Sequence, residues 1–419
     1  MSEWQDVPVR DLCRDIVDCI NKTAPTAPHS TQWKMLRTTN IRRGWVDTEN
    51  VKFVEGETFE RWTRRLRPKS GDVILTREAP LGEVGLLRSD DTVFLGQRLV
   101  LYRVDPERCD NRFLCYAMLG PEVQAQLRSL GSGATVEHLR VPDCETFTVR
   151  CPPLVEQQRI GAILGSLDDL IENNRRRIEV LEEIARIIYR EWFNYFRFPG
   201  HEHEKFVASP IGPVPEGWVV RPASEIIDFN PRVPRDASTD HPFVTMGDLS
   251  ERNSVCFPSE RRPHRSGSKF QNGDTLFARI TPCLENGKTG LIQGLDPNET
   301  GRGSTEFIVL RGKMVGAAYT YLLARHEDFR AHAIKSMSGA SGRQRVRNEC
   351  FDSYFVAAPP VGIAKAFEET VMPLYESAFH LTLEMKSAGK LRDELLPKLV
   401  TGQIDVSRLD IDLARMPVQ

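Results

Sequence analysis

The chain repeats itself, and the repeat limits what it can fold into. Trp4 and Pro8 recur as Trp218 and Pro222, 214 residues later. Ser70-Gly-Asp-Val-Ile-Leu-Thr-Arg77 recurs as Asn272-Gly-Asp-Thr-Leu-Phe-Ala-Arg279 at an offset of 202. Ser132-Gly-Ala134 matches Ser338-Gly-Ala340 at 206, and Cys151-Pro-Pro-Leu154 matches Ala358-Pro-Pro-Val361 at 207. The changing offsets describe two divergent halves separated by insertions and deletions. A period near half of 419 residues is far too long for a solenoid, so one module of two parts is used twice.

Each module has a mixed part and a helical part. In the mixed part, short apolar runs bounded by Gly and Pro read as strands: Asp72–Thr76, Leu99–Tyr102 and Phe307–Leu310. Helical stretches interrupt them over Phe113–Leu130 and Ala317–Ile334. The helical part is sharper. After Pro152-Pro153, apolar residues fall at Ile160, Leu164, Leu167, Ile171, Ile178, Leu181, Ala185, Ile188 and Trp192, with Asn174 in the one polar slot. Adding 207 gives Phe367, Val371, Leu374, Ala378, Leu381, Met385, Ala388, Leu395 and Leu399, with Arg392 in the polar slot. The 4,3 spacing is that of a coiled-coil seam, and two such stripes in one chain most simply pair with each other. Asn174 then fixes register, and Arg175-Arg-Arg177 is a solvated helix edge. The first helix is expected over 155–196. Pro373 is expected to kink the second helix and Pro397 to end it.

The expected fold class is mixed α/β: two α+β domains in tandem, each followed by a long helix, the helices forming an antiparallel coiled coil. The boundaries are 1–151 for the first domain and 152–199 for the central helix, then 200–358 for the second domain and 359–419 for the last helix and tail.

Composition narrows the chemistry. With 40% hydrophobic and 27% charged residues the chain is neither disordered nor low in complexity. No run of eighteen apolar residues exists, and the polar start, Met1 to Leu12, does not read as a signal peptide, so a cytoplasmic location without membrane contact is expected. The nine cysteines are scattered with no CxxC, and His201 and His203 have no nearby Cys, which argues for free thiols and no metal. The GKT at Gly287–Thr289 lacks the first glycine of a phosphate loop, because Pro282 stands there. Asn230-Pro-Arg-Val233 fails as a methyltransferase tetrad, and Pro142-Asp-Cys-Glu145 lacks the lysine of a nuclease motif. No catalytic equipment is visible.

Charge is balanced overall at −2, and residues 1–150 carry 22 basic and 22 acidic residues, so the chain is no general nucleic-acid sponge. The bases cluster locally. Arg61 to Lys69 holds five cations and no acid, Arg261 to Lys269 holds four and a histidine, and Arg343 to Arg347 holds three.

The order of motifs resembles the DNA-specificity subunits of type I restriction–modification systems over nearly the whole chain. Pro152-Pro-Leu-Val-Glu-Gln-Gln-Arg-Ile160, Leu167-Asp-Asp-Leu-Ile-Glu-Asn-Asn-Arg175 and Glu191-Trp-Phe193 carry the resemblance in the first helix. Ile211-Gly-Pro-Val-Pro-Glu-Gly-Trp218 opens the second half. Thr76-Arg-Glu-Ala-Pro-Leu-Gly82 and Ala278-Arg-Ile-Thr-Pro-Cys-Leu-Glu-Asn-Gly-Lys288 sit in equivalent places, and Leu391 to Ile404 closes the pattern. Gly362-Ile-Ala-Lys-Ala departs from a second Glu-Gln-Gln-like helix start. The resemblance implies two target-recognition domains, each reading half of a split site in double-stranded DNA, and two helices acting as spacer. It implies docking of two methyltransferase subunits and of restriction subunits with motor and nuclease. It also implies a non-catalytic chain that binds no cofactor itself, with AdoMet, ATP and Mg on the partners. Candidate DNA contacts are Arg61, Arg64, Arg65, Arg67 and Arg77 in the first domain. In the second they are Arg261, Arg262, Arg265, Lys269, Arg279 and Lys288. Arg77 and Arg279 occupy equivalent positions, which points to a shared structural or phosphate role. Two rivals are a coiled-coil scaffold without DNA specificity and a self-contained DNA-modifying enzyme.

Overall fold

The computed structural model describes residues 4–132, 137–233, 240–263, 266–340 and 342–409. The chain forms two compact units, one of residues 1–171 with 387–419 and one of 172–386.

The first unit is built on a six-stranded sheet in the order Cys13–Asp18, Leu99–Val104, Val73–Arg77, Leu81–Leu86, Gly44–Val46 and Ile41–Arg42. The second has five strands in the order Ile227–Phe229, Phe307–Gly312, Thr275–Ala278, Thr289–Ile292 and Val255–Cys256. The first five positions correspond one to one, including the parallel pairing of Gly44–Val46 with Leu81–Leu86 and of Val255–Cys256 with Thr289–Ile292. A second small sheet repeats as well, with Lys34–Leu36 parallel to Val93–Leu95 and His241–Val244 parallel to Gly301–Gly303. Gln5–Pro8 pairs with Thr148–Cys151 as Val219–Pro222 pairs with Phe355–Ala358.

The strongest sequence match has a physical cause. Asp72 and Asp274 sit at the turn into the central strand, each all but buried. Each accepts a backbone N–H three residues back, from Lys69 and Gln271, both at 2.8 Å. Each also holds an arginine of the neighbouring strand in a two-armed contact, Arg103 at 2.9 and 2.8 Å and Arg311 at 2.7 and 2.7 Å. A buried carboxylate needs this many donors, which is why the Gly-Asp turn survives while its surroundings diverge.

The helical stretch in each mixed part is two helices rather than one. Asn111–Leu119 and Pro121–Leu130 are separated at Gly120, which Pro121 holds extended. Ala317–Arg325 and Glu327–Lys335 are separated at His326, whose side chain caps the second helix.

The first long helix runs Leu154–Tyr189 and then widens into a π-turn over Arg190–Asn194 that buries Trp192 and Phe193. The second runs Val361–Val400. It continues through Pro373, and Pro397 does not end it. Proline forfeits one backbone hydrogen bond, which a packed helix tolerates within its last turn. The end is set instead by Gly402 at φ 75°, with Gly402 N–H on Leu399 O and Gln403 N–H on Lys398 O.

Every proposed seam position is buried or half-buried. In the first unit Ile160 and Leu164 are sealed into a core with Leu399, and Leu167 and Ile171 are half-buried. In the second, Ile178 packs with Leu381 and Ala378, flanked by Leu181 and Met385. Phe367 and Val371 lie in that unit's main core with Leu374 at its edge, and Phe367 stands 4.7 Å from Phe193 between ring centres. Within each unit the two helices run antiparallel. Both polar slots are engaged across the helix pair. Fully buried Asn174 donates to Glu384 at 2.6 Å, and Arg392 donates to fully buried Asp168 at 2.8 Å. Leu167 and Leu381 belong to different units, so the residue facing Leu381 is Ile178.

Candidate nucleic-acid interface

Among the candidate contacts the structure separates paired from unpaired cations. The short helix Gly56–Trp62 and the segment after it carry the first cluster. Arg65 reaches Asp18 at 2.7 Å and Arg67 reaches Glu60 at 2.6 Å. Arg61 lies over Trp62, and neither Arg61 nor Arg64 has an ion pair among the described residues. In the second unit Arg261 and Arg262 lie on the edge strand Glu260–Arg262. Arg261 pairs with Asp240 at 3.1 Å and Glu299 at 2.9 Å, and Arg262 pairs with Glu260 while covering the Phe243 ring at 4.2 Å. Lys269 is exposed on Ser268–Phe270 without an ion pair among the described residues. Arg265 lies outside the described residues. Exposed ion pairs contribute little stability and are readily exchanged, so the paired arginines remain available to an incoming phosphate.

Arg77 and Arg279 do the same job in each unit. Arg77 ends its central strand and Arg279 directly follows its own, and each donates to a carbonyl of a following loop, Arg77 to Leu139 at 3.0 Å and Arg279 to Val346. Both are half-buried, which places them as loop anchors. Lys288 is likewise half-buried and donates to Met246 O at 3.0 Å.

Each unit also carries a repeated device that the sequence reading missed. Thr38–Asn40 forms a single tight turn closed by Asn40 Oδ1 accepting from Arg37 N–H, and Met246–Asp248 does the same with Asp248 and Thr245. A buried apolar residue follows each turn, Ile41 and Leu249. The chain then emerges as an exposed tip: Arg42-Arg43 in the first unit, Glu251-Arg252-Asn253 in the second. Arg43 adopts φ 45° and Gly44 φ 93°, closing a two-stranded hairpin whose tip is a pair of arginines. Neither arginine side chain has an ion pair among the described residues. The signal was present as Arg-Arg-Gly after a strand-like run, a turn that needs glycine.

Among the described residues, no group of three or more His, Cys, Asp or Glu is placed to hold a metal ion, and no helix is long and apolar enough to cross a membrane.

Residues 1–183 match the family described as "Type I restriction modification DNA specificity domain". The chain is 23% identical over 359 residues to the type I restriction enzyme MjaIX specificity subunit of Methanocaldococcus jannaschii, covering 82% of this chain and 80% of that one. It is 20% identical to the EcoKI specificity subunit of Escherichia coli K12, over 88% and 82% of the two chains. The fold is shared with the S subunit of a type I system from M. genitalium, at a TM-score of 0.59 and 14% identity over 95% and 96% of the chains. Residues 1–183 thus match the type I DNA specificity domain, and the fold is that of a type I S subunit.

Proposed function

We propose that this chain is the DNA-reading subunit of a type I restriction–modification complex. The observation that carries the reading is the pairing of a repeated scaffold with an unrepeated tip. Both units share the order of five sheet strands and the same turn, yet one tip offers Arg42-Arg43 and the other Glu251-Arg252-Asn253. Arginine in a groove favours guanine edges and phosphates, whereas a carboxylate and an amide accept from cytosine and pair with adenine. Different tips on one scaffold suit two different half-sites.

In this reading residues 1–151 and 200–358 are two target-recognition domains in tandem, and the helices of 152–199 and 359–419 form an antiparallel coiled-coil spacer. Two methyltransferase subunits dock on the chain and restriction subunits join them. The chain performs no chemistry, and AdoMet, ATP and Mg act on the partners. Balanced charge suits this role, because affinity then rests on a few placed cations rather than on a general field.

The test is DNA binding by the assembled complex as salt is varied. Arg42→Ala with Arg43→Ala should weaken binding and reduce the slope of log affinity against log salt by about 1–2. An unchanged slope and affinity would remove the tip from the interface.

A further inference from the structure

The two units solve one junction with opposite residue assignments. In the first, Asp110 precedes the helix Asn111–Leu119, and its carboxylate accepts from Phe113 N–H at 2.8 Å. Gly161 of the first long helix faces it, and a Cβ there would stand 2.5 Å from Asp110 Oδ1. In the second, Gly316 precedes the helix Ala317–Arg325 and offers no side chain. The carboxylate comes from the other side: Glu368 of the second long helix accepts from Ala317 N–H at 2.9 Å and Ala318 N–H at 3.2 and 3.1 Å. A Cβ on Gly316 would collide with Glu368. Asp110 and Gly316 are 206 apart, Gly161 and Glu368 are 207 apart, the same offsets as the flanking repeats. One carboxylate serves each helix start, and one glycine makes room for it.

We propose that this reciprocal pairing matches each long helix to its own globular part. The chain needs such a device, since both parts share a strand order and both helices an apolar spacing, so apolar burial alone does not distinguish right from wrong partners. Setting the first part on the second helix would bring Asp110 against Glu368, two carboxylates in one half-buried place. Setting the second part on the first helix would bring Gly316 against Gly161 and leave the first amides of a helix without an acceptor. A second position reinforces the match. Fully buried Asp168 accepts from Tyr116 Oη at 2.6 Å, whereas its counterpart Tyr375 packs on Tyr321 at 5.3 Å between rings. The inference stands apart from DNA reading and does not depend on it.

The experiment recodes the junctions in the full chain. A mismatched chain, Gly161→Glu with Glu368→Gly, is compared with a recoded one that adds Asp110→Gly and Gly316→Asp. Calorimetry should show the mismatched chain melting about 4–8 °C lower, and the recoded chain within about 2 °C of the parent. Hydrogen exchange gives a local reading. The Phe113 and Ala318 amides should exchange fast in the mismatched chain and be protected again in the recoded one. Should the mismatched chain fail to fold, recovery of a folded recoded chain is the same positive result. A recoded chain that melts as low as the mismatched one, or whose two amides stay fast, overturns the proposal.

Discussion

Asp168 is the single residue whose removal should damage the first unit most. Its carboxylate is fully buried and accepts from three donors: Tyr116 at 2.6 Å, Arg392 at 2.8 Å and Arg88 at 3.1 Å. Both arginine side chains are themselves only 10% and 12% exposed. Asp168→Asn keeps the volume but strands two buried cations, and breaking a buried ion pair from one side costs about 3–5 kcal/mol. Arg88 keeps Asp169 at 2.9 Å and Arg392 keeps Asp393 at 2.7 Å, so the lower end, about 3 kcal/mol, is expected. For a unit of this size that is a fall of about 6–12 °C in melting temperature. The assay is urea and thermal unfolding, with the first unit's transition assigned by hydrogen exchange in Leu99–Val104. The cost lies in the stranded charge, so adding Arg392→Leu should recover part of the loss rather than deepen it. A single-variant loss under about 1 kcal/mol, or strict additivity in the double variant, would refute the reasoning.

Three further outcomes follow from the same geometry. Ile178→Glu places a charge against Ala378 and Leu381 and should cost the second unit about 3 kcal/mol or more by urea unfolding, whereas the exposed Val180→Glu on the same helix should cost little. Burial raises the Glu182 carboxyl above its ordinary value, opposed by the N–H and hydroxyl of Ser254 at 2.7 and 2.6 Å. The folded unit therefore holds that proton more tightly than the unfolded chain. Its contribution is fully present below the ordinary carboxyl range and is lost as pH rises through the raised value, and Glu182→Gln should flatten that slope in melts run from pH 4 upward. Glu306 is the opposite case: hydrogen bonds from Arg345 lower its carboxyl, so stability there is lost as pH falls below the ordinary range, a trend that Glu306→Gln should abolish.

The scaffold was legible because its causes are local. A Gly-Asp turn announces a buried carboxylate whose donors are fixed, and a 4,3 apolar rhythm announces a helix face that must be covered. Helix ends were less legible. Pro397 reads as a stop, yet the Gly402 cap five residues on decides the matter. The interface was least legible, because exposure and pairing are set by residues far apart in sequence. Arg65 meets Asp18, and Arg261 meets Asp240 and Glu299, partners that no local window shows. Arg42 and Arg43 do not stand out in a charge-balanced stretch, because it is the left-handed turn at Arg43 that brings them to an exposed tip.

The central claim is that each globular part reads one half of a divided site. It is tested most directly by co-expressing the chain with the methyltransferase subunits of its system and mapping modified bases across the host genome. Residues 1–151 are then replaced by those of a relative, keeping an acid at position 110 opposite Gly161. The account predicts that one half of the modified sequence changes while the other half stays as it was. A change in both halves, or in neither, would contradict it.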